Sequence, residues 1–575
     1  MNQPKSIVHD VGIYNALAAE PQLSTAHEQT GVLSARNERG LTGKGIKVDV
    51  IDNVQWPLDY THEAFGSCYS GPGCKIQYGF DFVEPNRPKF QHGTHVAGII
   101  VGNSTKNTFV SVAPEGSSKD DVIIAALEKA YSGGMDVVNL SLGSGSSWAN
   151  TSLSKVAGSL ADLGVIVVAA IGNDGELGID EVSSPSINRD AISVASLRIK
   201  LAQEAGAIGC IFYNNAEGGL RPKIDDPSVH IFGHGVSQTQ GQLILDQFAS
   251  AKTPKLEVIY KSEKGVFKNE LADLISSFSS WGPGPELEIK PDVGAPGRYI
   301  YSTIPVVKGS YSTMSGTSMA TPFVTGTAAL MLQTDPIIDR KEVLGRLQVY
   351  AKPGLYKGTT MLDSVARQGA GMVNVWNAIR GQAFVEPTRL ALNDTVNTLS
   401  SYTLTSADKI IYGDIDATLV IDKEDQILLE PGESGTFTFH FDAPGDLDIQ
   451  SHWIYSGYVK ITPSSRPAMQ VPYAGMHGSY STVDILNLQE NYPLIVGPTP
   501  EGRLVPITFS EEQPPSYTMV GRNIVTMLLK ISNPLRNLQI YVMDATARKA
   551  IGMVPLEGEY VGRTDNVKSK FFVVP

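Results

Sequence analysis

The chain has 575 residues, 42% hydrophobic and 18% charged, with a net charge of −13 and three cysteines. That length exceeds what one hydrophobic core can hold and implies about three to four units. The acidic balance, with no Lys/Arg run, argues against nucleic acid or an anionic membrane as the partner.

The start, MNQPKSIVHD, lacks the charged-then-apolar pattern of a signal peptide. From there to about residue 380, short β-branched runs alternate with helical segments: GIKVDVID, the run from His92, DDVIIAALEKAY, MDVVNLSLG, SLADLG and VIVVAAIGN. This rhythm predicts strands that cross over through helices, hence an α/β fold with a parallel sheet. The longest apolar run, LGVIVVAAIG, is too short to span a bilayer and reads as a buried parallel strand. Cys68 and Cys74 bracket YSGPG, a turn tight enough to bring them into disulfide range, although two idle thiols remain the alternative. Cys210 sits alone in AIGCIFY. From about residue 386 helices give way to alternating strands such as TLVIDK, GTFTFHF, GYVKITP and LQIYVMDA. Pro/Gly turns separate them, which predicts all-β sandwiches of roughly 90 residues each.

Chemistry is expected at the carboxyl ends of parallel strands, and three such ends are loaded. VDVID finishes at Asp52, HGTHVAGII opens a helix with His92, and VVAAIGNDG ends at Asn173. Taken singly each has a bland explanation, since a strand-end Asp or Asn is usually a turn former. Asp49 competes with Asp52 but lies inside the strand. His92 and His95 are spaced for a shared metal, yet the helical zinc motif wants a Glu between them and finds Gly and Thr. Ser318 lies in SGTSMATP, a small-residue turn entering an apolar helix, and could be an ordinary N-cap. Gly316 reads there as a residue admitting unusual dihedrals, and Pro322 as a proline of the first helical turn. Together the residues fit one chemistry: a serine hydroxyl activated by an imidazole, a carboxylate that orients the imidazole, and an amide for the oxyanion.

Those contexts and the order Asp52, His92, Ser318 resemble the subtilisin-like serine proteases (subtilases, peptidase family S8). The resemblance implies Ser318 as nucleophile, His92 as base then acid, Asp52 as its orienting group and Asn173 in the oxyanion hole. NLSLGSG resembles the strand that pairs with an extended substrate, which assigns Ser141, Leu142 and Gly143 to substrate binding. KPDVGAPG resembles the turn that precedes the nucleophile region. The implied activity is that of a serine endopeptidase working through an acyl-enzyme on protein or peptide substrates, as a monomer without a cofactor. Calcium is compatible with the family but indicated by no motif here. The resemblance further implies residues 1–25 as leader or prodomain remnant, 26–384 as catalytic domain, and 197–262 as a truncated protease-associated insertion within it. Residues 386–480 resemble a fibronectin-III-like sandwich, and 481–575 form a further β-rich domain. An extracellular or cell-wall location and a Cys68–Cys74 disulfide go with that type; sequons at Asn103, Asn150 and Asn393 fit it.

The sequence departs from the family pattern at several places. Asn53 and Val54 follow Asp52 where relatives carry a small residue and Gly, and Gln91 precedes His92. SVAPEGSSKDDVII runs from loop to helix where relatives hold a whole strand, and ISVAS runs directly into LRIKLAQEAGA. These read as internal deletions. Without that strand, the strand ending at Asp52 needs another partner, and KIQYGFDFV (Lys75 to Val83) is the expected substitute. One half of the substrate groove is then open. The alternative function is an inactive or impaired relative acting as a binding or cell-wall protein.

Overall fold

The computed structural model describes residues 22–52, 58–72, 74–77, 91–104, 109–113, 123–143, 147–177, 179–195, 209–213, 232–236, 242, 246, 274–356, 359–381, 383, 385–394, 418–421, 433–436, 438–442, 452–464, 466–486, 488, 492–499, 503–507, 517, 524–544, 546–554, 559–561 and 572–574. The chain divides into two units, residues 1–22 with 198–274, and residues 23–197 with 275–575. In the first, the strands Gly209–Tyr213 and Phe232–Val236 pair in parallel. All that follows concerns the second.

Strands β1 (Val48–Ile51), β2 (Val137–Leu140), β3 (Ile166–Gly172) and β4 (Ile192–Ala195) run parallel in the spatial order β1-β2-β3-β4. Helices α1 (Gln22–Thr30), α2 (Val32–Arg39), α3 (His92–Val101), α4 (Ile123–Ser132), α5 (Ser152–Asp162) and α6 (Thr317–Thr334) accompany them. This is the α/β class read from the alternation of strand and helix patterns. Side chains of a strand point alternately to its two faces. Val48, Val50, Val137, Ile166, Val168, Ile192 and Val194 therefore join one core with α3 and α6. Ile51, Val138, Leu140, Val167 and Ala169 join the other, under α4 and α5. Helix α6 is apolar or small on every side, as a helix enclosed on all sides must be. From Thr317 to Met331 every residue but Ser318 is buried.

Among the described residues β1 pairs only with β2. Of the expected substitute strand, Lys75 to Gln77 are described; Ile76 there makes an isolated bridge to Tyr69. Its remainder, from Tyr78, lies outside the described residues, as do residues 114–122 and 196–208 on which the deletion reading rests. Cys68 and Cys74 are joined, with S–S 2.10 Å.

Beyond Arg380 the described residues hold no α-helix. Leu390–Asp394 lies parallel to Met469–Met476, which pairs antiparallel with Ile454–Ile461. A further antiparallel sheet joins Leu504–Pro506, Leu494–Pro498, Thr526–Leu529 and Phe572–Val574. The start of this β-rich region is tied to the parallel sheet by charge. Asp292 accepts from Lys290 Nζ at 2.8 Å, Gln348 Nε2 at 3.1 Å, the Ser193 N–H at 3.2 Å, and also from Arg389. Lys290 is fully buried and donates as well to the Ala191 carbonyl at 2.8 Å. Burial pushes its pKa down, and Asp292 opposes that shift.

Two outcomes are expected. Asp292→Ala strands a buried ammonium and lowers unfolding stability by about 3–5 kcal/mol, read as a lower denaturant midpoint at unchanged slope. Cys68 and Cys74 alkylate only after reduction in protein purified from an oxidising host, and closing so short a loop contributes about 2 kcal/mol.

Candidate active site

Strand parity decides between the two aspartates of VDVID. Asp49 shares a face with Ile51, which packs under α4 and α5. Asp52 falls on the face of Val48 and Val50, toward α3 and α6. There Asp52 Oδ2 accepts from His92 Nδ1 at 2.6 Å. The carboxylate side chain is 2% exposed and the imidazole 19%, so the pair is dry on one side and open on the other.

His92 is the first residue of α3, and the rest of that helix is held by the hairpin of β5 (Ile300–Thr303) and β6 (Tyr311–Met314). Thr303 Oγ1 donates to the Thr94 carbonyl at 2.7 Å and Ser302 Oγ to the His95 carbonyl at 2.8 Å. His95 Nε2 lies 3.1 Å from the carbonyl oxygens of both Ile300 and Ser312. The two histidines therefore diverge: His92 meets a carboxylate, and His95 clamps a hairpin. Asp59 adds to the same seam, its N–H on Thr94 Oγ1 at 3.1 Å and its Oδ2 accepting from the Val306 N–H at 2.8 Å.

Ser318 is the second residue of α6. Its N–H makes no hydrogen bond among the described residues, and its hydroxyl donates to the Ser141 carbonyl at 3.2 Å. Asn173 follows β3 directly and is exposed. Its Oδ1 accepts from the Thr317 N–H at 3.1 Å and the Thr317 hydroxyl at 3.3 Å. Through Thr317, Asn173 is thus tied to the first turn of α6, the positive end of a long helix. Gly172 is what turns the chain there. It takes φ +118°, and a Cβ would come within 2.6 Å of the Ser183 and Ser280 hydroxyls.

The structure corrects two local expectations. Gly316 has φ 163°, extended backbone open to any residue, so it needs no special dihedral. Pro322 lies in the second turn of α6 rather than the first, where its missing N–H leaves a carbonyl without its helical partner. Of the expected substrate-binding residues, Ser141 and Leu142 are buried at the carboxyl end of β2, and Gly143 is exposed. Leu142 belongs to the buried cluster that also holds residues of α4 and α5. Just beyond, the Trp148 indole donates to the Val561 carbonyl of the β-rich region at 3.1 Å. Thr317 and Asp59 carried no signal of their own in the sequence, being one more small residue and one more turn-forming carboxylate.

Residues 43–371 match the family model described as "Subtilase family". The minor extracellular protease Vpr of Bacillus subtilis (strain 168) is 26% identical over 473 residues, covering 64% of this chain and 56% of Vpr. The chain thus spans little more than half the length of that relative. A subtilisin of Bacillus pumilus is 28% identical over 357 residues, covering 59% of this chain and 93% of the subtilisin. The solved structure of the prenylagaramide maturation protease PagA aligns at TM-score 0.38 and 22% identity, covering 61% of this chain and 97% of PagA.

The packing of α3 generates a test. A Cβ at Gly98 would sit 2.2 Å from Thr303 Oγ1 and 2.4 Å from Ser302 Oγ. Gly98→Ala is therefore expected to destabilise by about 1–3 kcal/mol as α3 moves off β5. At Gly93 the nearest atom is Asp52 Oδ2 at 3.6 Å, an ordinary contact. Gly93→Ala is expected to melt no lower than the wild type, and thermal unfolding of the two variants checks the contrast.

Proposed function

Because this chain belongs to the subtilase family, we propose that it is a serine endopeptidase acting through Asp52, His92 and Ser318, with Asn173 in the oxyanion hole. The observation that carries this reading is the 2.6 Å hydrogen bond from His92 Nδ1 to the buried Asp52 carboxylate. That bond holds the proton on Nδ1 and leaves Nε2 as the base. Nε2 takes the Ser318 proton as Oγ attacks the peptide carbonyl carbon. The tetrahedral oxyanion then forms where the Ser318 N–H and the Asn173 NH2 group can donate to it. His92 returns the proton to the leaving amine, and an acyl-enzyme on Ser318 remains. Water, activated by the same imidazole, releases the acid.

Proteins or peptides are the substrates, met along the main chain of Ser141, Leu142 and Gly143. We assign residues 26–384 to the catalytic domain and 197–262 to a shortened protease-associated insertion. Residues 386–480 are a fibronectin-III-like sandwich, residues 481–575 a further β-rich domain, and 1–25 a leader or prodomain remnant. The site of action is outside the cell: the name of Vpr says this of that relative, and the sequon residues Asn103 and Asn393 are exposed. With β1 paired on one side among the described residues, the groove opposite Ser141–Gly143 is shallow. Small activated esters, which lean on the triad and oxyanion hole, are turned over better relative to long peptides than by an intact relative.

Ser318→Ala and His92→Ala are each expected to abolish fluorophosphonate labelling and ester turnover with the fold retained, and the double variant loses no more than either alone. Asn173→Gly is expected to lower kcat on a nitrophenyl ester by roughly 10²–10³, the magnitude established for loss of the oxyanion amide in a subtilisin. Labelling of Ser318→Ala at the wild-type rate overturns the assignment. An ester-to-peptide ratio equal to that of the Bacillus pumilus subtilisin, assayed in parallel, overturns the shallow groove.

A further inference from the structure

Helix α6 gives up one of its own hydrogen bonds at the residue that carries the chemistry. In an α-helix the carbonyl of residue i accepts from the N–H of residue i+4. For Ser318 that residue is Pro322, which has none. The orphaned carbonyl is taken up from the sheet: Ser141 Oγ donates to it at 2.9 Å. Ser318 Oγ in turn donates to the Ser141 carbonyl at 3.2 Å, so two serines clasp each other across the seam.

The clasp is backed from behind. Asn139 Nδ2 donates to Ser141 Oγ at 3.0 Å, and Asn139 Oδ1 accepts from Thr325 Oγ1 at 3.0 Å. Thr325 Oγ1 also lies 3.1 Å from the Thr321 carbonyl. Counting by twos puts Ser141, the first residue after β2, on the same side as Asn139, and the helical repeat puts Ser318 and Thr325 on one stripe of α6. Asn139 and Thr325 are fully buried and Ser141 nearly so, beside a core made largely of Val, Ile, Ala, Leu, Met and Phe. Burying an amide and two hydroxyls there costs free energy unless each is bonded. Apolar residues would fill the same space, so packing alone does not account for a polar chain that ends on Ser318.

Resting on the reading of Ser318 as nucleophile, we propose that Thr325, Asn139 and Ser141 are positioning residues for it. Thr325 fixes the Asn139 amide, and the amide fixes the Ser141 hydroxyl. The hydroxyl replaces the hydrogen bond that Pro322 withholds, setting the backbone at Ser318 and the direction in which Oγ leaves it. The proline frees the first turn of α6 from the helical ladder, and the sheet decides where that turn sits.

Three variants of the full chain test this, each first shown to be folded by its thermal melt. Thr325→Val keeps the shape and removes the donor, whereas Thr325→Ser keeps the donor. Thr327→Val is the control on the same helix, since among the described residues Thr327 Oγ1 donates to the Phe323 carbonyl alone, at 2.9 Å, away from that polar chain. The readouts are the rate of fluorophosphonate labelling, and kcat and KM on a nitrophenyl ester. Thr325→Val is expected to slow labelling and kcat about tenfold with KM within about twofold. Thr325→Ser is expected to restore both, and Thr327→Val to match the wild type. Wild-type labelling by folded Thr325→Val overturns the proposal, as does an equal loss in Thr327→Val. Should Thr325→Val not fold, Ser141→Ala is read in the same way: about tenfold slower labelling supports the proposal, and an unchanged rate overturns it. Failure of the wild type itself to label is a different result, and it overturns the protease reading together with this one.

Discussion

A single buried helix governs the arrangement of this molecule. From Thr317 to Met331, α6 is enclosed on every side except at Ser318. An enclosed helix has no freedom to slide or rotate, because close-packed interiors resist even a methylene of displacement. Its position along the sheet fixes where its N-terminus emerges, and it emerges at the carboxyl ends of the parallel strands. Asp52, Ser141 and Asn173 all sit just past such ends, on β1, β2 and β3. Hydrogen bonds between Ser141 and Ser318 and from Thr317 to Asn173 tie the start of α6 to the ends of β2 and β3.

Around that helix, hydrogen bonds between buried polar side chains and backbone groups mark several of the seams between layers. Thr94, His95, Ser302 and Thr303 join α3 to the β5–β6 hairpin. Asn139, Ser141 and Thr325 join β2 to α6. Lys290 and Asp292 join β4 to the helix carrying Gln348 and to Arg389 at the head of the β-rich region. Apolar contact alone is non-directional and tolerates small shifts in register. Hydrogen bonds and ion pairs in dry surroundings do not, since an unmet partner costs far more there than in water. The two kinds of interaction divide the labour: apolar burial holds the layers together, and buried polar seams hold them in register.

Much of this was legible in the chain. Alternating strand and helix patterns specify a parallel α/β sheet, because a parallel pair needs a crossover and the crossover here is helical. The contexts of Asp52, His92, Asn173 and Ser318 point to a single chemistry, and Asp52 can be preferred to Asp49 because it stands at the strand's end while Asp49 lies inside it. Such features are local: propensity, period and the geometry of a strand end are written in neighbouring residues. Tertiary structure alone decided the rest. Ser141 and Ser318 are separated by 177 residues, and His95 by 205 from the carbonyl of Ile300 that it holds. Pro322 looked like a helix-start residue because its local cost is visible in sequence, while the hydroxyl that offsets that cost belongs to another strand. Partners across such separations are chosen by how layers pack, and no local signal encodes that choice.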